Sequence, residues 1–409
     1  MGAQRLVWMD ALRLSAGVSM VALHATADAN GQPFPDWPVE DRLIPLLIRA
    51  VVYIARTELF IIISIFLLLM ALEARPRGYG PTIRQQVRRL LVPFAFWTVF
   101  YAFYSLIKAT QFGYAPALWD ALGQPMTWVE YFVLGTSKYH MHFLPTLFGL
   151  VLMFPLYRIA RDHVWLGLLV VACLMIKREM DVFLWSSMAD MPGFDFVLRA
   201  VKIVTYAGYG FVAAALLGLW QRHGPVGREA DDPSVPREDR LAPWVPVVAF
   251  AGGLLFLLKL AAVWQTLALG RWPHNFTPGY WADFLMPVAL FAMCMCLAGR
   301  HWPPVIGRVA KYSFGIYLCH PIFLDLIEIS IAHALLTPTA QVLIKIGLAV
   351  PLTTALVIGL SRIPALAWTV GLGPIRLPWL AARAVGWPPA TTSTPGPETL
   401  GETLSEKAK

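Results

Sequence analysis

Charged side chains are scarce. Asp, Glu, Lys and Arg make up 14% of the 409 residues, against about 25% in soluble domains, so the chain cannot cover a water-facing surface of its size. Apolar residues make up 57% and the mean hydropathy is +0.59, which excludes a disordered chain as well. Cysteine is sparse too. Cys173, Cys294, Cys296 and Cys319 all fall inside apolar runs, without the spacing of a secreted disulfide framework. They read as small buried apolar residues. Cys294 and Cys296, two apart, point in different directions on a helix and make poor joint metal ligands. The alternating segments of about 10 residues that mark a membrane β-barrel are missing, and no internal repeat is visible.

What is present is a series of continuous apolar runs broken by polar stretches. A membrane-crossing helix needs about 20 apolar residues. The runs place spans near 6–28, 50–72, 90–107, 143–160, 164–177, 200–220, 244–264, 282–299, 313–334 and 341–361. With the N-terminus inside, twenty of the 33 Lys and Arg fall on the inner side and six on the outer side; the rest lie in spans or at their edges. That bias orients the chain and accounts for the net charge of +8 without nucleic acid. The expectation is an all-α polytopic membrane protein of about ten transmembrane helices around a polar transmembrane cavity, both termini cytoplasmic. Ala25-Thr26-Ala27 resembles a signal-peptidase site, but Asp10, Arg13 and His24 interrupt the apolar stretch before it. Residues 1–362 form the membrane domain. Residues 363–387 mix Trp and Leu with Arg and Pro and read as an interfacial segment. The Pro/Thr/Glu-rich residues 388–409 read as a disordered tail.

Ionisable groups inside spans are costly and face a bundle interior or a wet cavity. The first run carries Asp10, Arg13 and His24. Arg13 and His24 are 11 residues apart, hence about 20° apart around a helix and about 16 Å along it. Both sit on one stripe with Gly17 between them. His24, near the outer surface, is placed to act as a base, with Asp28 one turn on to orient it. The plainer reading pairs Arg13 with Asp10 as a packing lock. Glu58 either pairs with Arg56 or Lys138 or serves His24. Arg84 and Arg88 share a face at i, i+4, and Arg89 adds a third guanidinium. Together they make either an anion site or ordinary positive-inside anchoring. His140 and His142, two apart, do not share a helical face, which disfavours a zinc site. Arg271, His274, Asn275 and Trp272 lie in an outer loop, and His320-Pro321 marks a break inside a helix.

Several of these segments together resemble acyltransferase family 3. The stretch MDALRLSAGVSMVALH, with Arg13 and His24, resembles the family's opening signature. The Arg84, Arg88, Arg89 run ending at Pro93 is similar to its basic third-helix entry. YHMHFLP (139–145) and YSFGIYLCHP (312–321) resemble two further segments, in the right order over about residues 5–335. Two departures are SIF (64–66) where the family often has SGF or SGY, and His142 in place of a tryptophan, which bears on the acceptor pocket.

The resemblance implies transfer of an acyl group from cytosolic acyl-CoA to a hydroxyl of an extracytoplasmic glycan. The setting would be the bacterial inner membrane, with no tightly bound cofactor and no metal. Arg84, Arg88, Arg89 and Arg5 would hold the CoA phosphates, and the pantetheine arm would pass Arg13. His24 would deprotonate the acceptor. Arg13 would steady the oxyanion or the CoA arm, and Asp28 and Glu58 would support His24. His140, His142, Lys138, His320 and Arg271 would line the acceptor side. Succinyl transfer to a periplasmic glucan is the specific expectation, with Arg56, Lys138 and Arg271 either holding the succinyl carboxylate or making ordinary ion pairs. Two other classes share parts of this pattern. A secondary transporter also needs intramembrane Arg, His and Glu. A lipid-linked-sugar glycosyltransferase would use acidic residues such as Glu40 and Asp41 with a metal.

Overall fold

The computed structural model describes residues 6–225, 239–273, 276–332 and 334–374. Arg5, His274, Asn275, residues 375–387 and the tail 388–409 lie outside the described residues. No strand occurs among the described residues. The helices are α1 (Val7–Ala25), α2 (Val39–Val52), α3 (Thr57–Ala74), α4 (Tyr79–Gln86), α5 (Val92–Gln111), α6 (Ala115–Leu122), α7 (Pro125–Val133), α8 (Phe143–Leu152), α9 (Phe154–Asp162), α10 (Leu169–Ser187), α11 (Phe194–His223), α12 (Val245–Leu269), α13 (Thr277–Cys296), α14 (Pro304–Ala310), α15 (Ser313–Ile331) and α16 (Pro338–Arg362).

Each expected span falls on a helix or a broken pair. By length and apolarity, seven helical runs can cross a membrane, counting α2 with α3 and α4 with α5 as continuous; the pair α8–α9, bent by 66°, makes an eighth. That bend has a chemical cause. Pro155, at the second position of α9, offers no N–H to the preceding turn. α1 and α10 occupy the other two expected positions but are less apolar, because α1 carries Asp10, Arg13 and His24 and α10 carries Lys177, Arg178, Glu179 and Asp181.

Polar α1 is tolerated because helices, not lipid, surround it. It touches α2, α3, α13, α14, α15 and α16. Small residues allow the close approach: a side chain at Gly17 would meet the Ser313 Cβ at 3.4 Å, so α1 and α15 lie nearly backbone to backbone there. Near its start, Trp8 packs among Phe66, Trp220 and Phe291. Thus α1 forms the axis of the bundle, and Arg13 and His24 project from its two ends.

Candidate active site

His24 closes the last turn of α1. Its ring lies 4.2 Å from that of Tyr139 and stacks on that of His320 at 5.5 Å, with 19° between the planes. Tyr139 and His140 come from the loop before α8. Gly135 starts that loop at φ +73°, and a Cβ there would meet the His142 backbone at 2.6 Å. Only glycine lets the chain fold back so tightly, and the fold-back buries His140. His140 lies edge-on to Tyr101, Tyr317 and His320, at 5.3, 5.2 and 4.9 Å. Neither of its ring nitrogens makes a hydrogen bond.

His320 owes its setting to the proline that follows it. Pro321 lies inside α15 and has no N–H for the carbonyl of Tyr317, four residues back. The His320 Nδ1 lies 2.7 Å from that carbonyl. A carbonyl only accepts, so Nδ1 carries the proton and Nε2 keeps its lone pair. Nε2 is buried and unpartnered. The Tyr101 hydroxyl donates to the Leu318 carbonyl at 2.6 Å, and the Tyr317 hydroxyl donates to the His140 carbonyl. These bonds tie α5 and the 134–142 loop to α15.

Ion pairs fasten the same elements one level further out. Lys138 meets Asp325 at 2.5 Å. Lys108 and Lys345 both meet Glu328, at 2.5 and 2.8 Å, and Lys345 also donates to the Ala27 carbonyl at 2.9 Å. Of the two readings given for Lys138, the ordinary ion pair is the one present. The pair ties the loop before α8 to α15.

Four more of the candidate residues are placed as follows. The Asp28 carboxylate accepts the backbone N–H groups of Asn30 (2.9 Å) and Gln32 (2.7 Å), closing its own turn instead of orienting His24. Glu58 is held by Arg56 Nε at 2.7 Å and the Tyr206 hydroxyl at 2.8 Å, so it is a buried ion pair and does not serve His24. His142 diverges from His140, as a spacing of two dictates, and its Nδ1 lies 2.7 Å from the Tyr139 carbonyl. Arg271 is exposed, while its neighbours Trp272 and Pro273 line a pocket. Glu40 and Asp41 sit in the first turn of α2, where negative charge offsets the helix dipole. The described residues bring together no group of three or more His, Cys, Asp or Glu able to hold a metal.

At the other end of α1 lies a cavity of about 610 Å³. Arg13, Arg75, Arg77, Arg89 and Lys311 line it, and no carboxylate does among its described lining residues. Arg13 lies 3.6 Å from Asp10, so the pairing read from the sequence is also present. Of the predicted arginine cluster only Arg89 reaches the cavity. The face turned inward runs Thr82, Gln85, Gln86, Arg89, Leu90; Arg84 and Arg88 lie on the opposite, exposed face. Arg75, Arg77 and Lys311 were visible in the sequence only as inner-side charge.

The expected uninterrupted polar passage is also revised. None of the three clustered histidines lines the cavity. Phe60, in the cavity wall, packs on Phe143 and Tyr317, at 6.0 and 5.8 Å, and Tyr317 packs on His140. A layer of rings separates the cationic cavity from the histidines.

One helix, α1, thus carries a histidine cluster at its last turn and borders a cation-lined cavity with Arg13. The family model described as Acyltransferase domain, Acyl_transf_3, matches residues 6–362, and the chain belongs to that family. Comparison with curated proteins and with solved structures gave no match. The protein is therefore a multi-pass membrane acyltransferase.

Proposed function

We propose that this enzyme takes an acyl group from acyl-CoA on the cytoplasmic side and transfers it to a hydroxyl of an extracytoplasmic glycan. The proposal places the membrane as the bacterial inner membrane, the termini inside, the acyl group as succinyl and the acceptor as a periplasmic glucan. The observation that carries it is the pairing of the two ends of α1. Five cations without a lining carboxylate suit the phosphates of CoA. His24, about 16 Å further along the same helix, has an accessible ring beside two histidines. The inward-facing charge belongs to the side that the Lys and Arg bias makes cytoplasmic.

The step balances simply. His24 accepts the proton of the acceptor hydroxyl as its oxygen attacks the thioester carbonyl. The tetrahedral oxyanion collapses, the C–S bond breaks, and the CoA thiolate leaves and takes up a proton. The new ester stays on the glycan. His320 stacks on His24 and fixes its plane, and Tyr139 covers its other neighbours. Arg13 steadies the donor at the cavity's inner end. Direct transfer and an acyl-His24 intermediate use the same groups; acyl label retained on the protein without acceptor distinguishes them.

The test is transfer of labelled succinate from succinyl-CoA to purified periplasmic glucan by the protein in nanodiscs, read by glycan mass. A mass increase of one succinyl group is expected with the wild type and none with His24→Ala. Uptake of solute into vesicles without any covalent change would replace this reading with the transporter.

A further inference from the structure

A second basic pocket lies on the His24 side of the molecule. It holds about 270 Å³ between α2, α12 and α13. Arg49, Arg56 and Lys259 line it, with Asp283 as the one acidic lining residue described. Two of these cations are neutralised: Lys259 by Asp283 at 2.5 Å, and Arg56 by Glu58. Arg49 is not. No carboxylate lies within ion-pair distance of it among the described residues. Its Nη1 donates to the Leu23 carbonyl (3.0 Å) and to the Thr26 hydroxyl (3.2 Å). Its Nε and Nη2 make no hydrogen bond, yet neither is sealed from the pocket. The guanidinium lies over the rings of Trp272 (4.2 Å) and Tyr53 (5.4 Å). An arginine held by rings, one carbonyl and one hydroxyl, with two donor nitrogens left over, is organised for an anion.

We infer that this pocket binds a saccharide carrying an anionic group, the anion on Arg49 and a sugar ring against Trp272 and Tyr280. The reading rests on the acceptor being a glycan. Aromatic faces beside polar groups suit a pyranose; the guanidinium selects a carboxylate or phosphate on it. The geometry also makes the pocket a neighbour of the reacting centre. Arg49 holds the Leu23 carbonyl before His24 and the Thr26 hydroxyl after it, so a ligand on Arg49 sits against the helix end that carries His24. The pocket would thus seat the acceptor and favour glucan chains that already carry an anionic substituent over bare ones.

The experiment is calorimetric binding to the full-length protein in phosphatidylcholine nanodiscs. The probes are a tetrasaccharide containing one glucuronate, the same tetrasaccharide with glucose in its place, and inorganic phosphate. The glucuronate probe is expected to bind about tenfold or more tightly than the neutral one. Arg49→Gln should abolish that preference, and Arg49→Lys should retain part of it. Because Arg49 also holds α1, Trp272→Ala is the companion variant. It leaves the Leu23 and Thr26 bonds of Arg49 in place and should weaken both saccharides more than phosphate. Equal binding of the two saccharides, or no binding, overturns the inference. Phosphate binding as tight as the glucuronate probe reduces the pocket to a bare anion site and overturns it too. Loss of saccharide binding in phosphatidylglycerol nanodiscs assigns the pocket to a lipid phosphate instead. His24→Ala keeps the two proposals apart. It should bind the probe normally while transferring nothing, so a failure of acyl transfer and a failure of this pocket read out separately.

Discussion

Pro321 acts through an absence. Its missing N–H frees the Tyr317 carbonyl, and that carbonyl fixes the tautomer of His320. Pro321→Ala restores a competing backbone donor, so the His320 ring loses its hold and the stacking on His24 loosens. The expected result is a fall in kcat of about tenfold with the KM for acyl-CoA unchanged; an unchanged kcat removes His320 from the site. His24→Ala should cost about 10²–10⁴ in rate if His24 is the base, with normal membrane yield of the protein. Wild-type glycan acylation in that variant would falsify its assignment. These two histidines were legible for different reasons. An 11-residue spacing places Arg13 and His24 on one helical stripe wherever the helix packs, and His-Pro inside an apolar run announces a freed carbonyl. Asp28 was misread, and Glu58 was left between an ion pair and His24, because chain distance does not say which donor a carboxylate will meet first. For Asp28 the nearest donors were its own turn's N–H groups, and for Glu58 they were Arg56 and Tyr206, the latter 148 residues away.

Element geometry decides which arginines line the cavity proposed for the donor. Arg84 and Arg88 share one face of α4 and its continuation, while Thr82, Gln86 and Arg89 share the other. Both faces are polar, so periodicity alone gave no reason to prefer either. What turns the Arg89 face inward is packing: Leu90 is buried with Thr82 and Gln86. Arg89→Ala or Arg75→Ala is therefore expected to raise the KM for acyl-CoA about tenfold, since each removes a charge-assisted contact worth about 1.5 kcal/mol. Arg84→Ala should leave it near the wild-type value. A reversed order in donor titrations would return the Arg84 face to the donor site. The same limit explains the spans. Apolar runs fixed where helices lie, but the break between α8 and α9 comes from a single proline inside an otherwise apolar run. The fold-back at Gly135 depends on one glycine, in a stretch that reads as a plain connector.

Across the whole molecule, α1 joins two basins that are not joined to each other. The cationic cavity ends against Phe60, and the histidines begin beyond Tyr317. In the reaction proposed above, a thioester arriving from the cavity would reach His24 only if the Phe60–Phe143–Tyr317 layer parts. Such a layer has a chemical use, because it keeps water from an activated acyl group until an acceptor is in place. Composition could announce polar groups at both ends of the bundle, but not this closure, which depends on three rings from α3, α8 and α15 meeting in space. Phe60→Leu thins the layer while preserving an apolar side chain of similar size. With acyl-CoA and no acceptor, the variant should release free CoA several-fold faster than the wild type, about 1 kcal/mol of lost barrier, as water reaches the thioester. Transfer to glycan should continue in that variant, because Arg13, Arg89 and His24 are untouched. If CoA release stays at the wild-type rate while the protein remains folded and active, the rings are ordinary packing and the donor reaches His24 by another route.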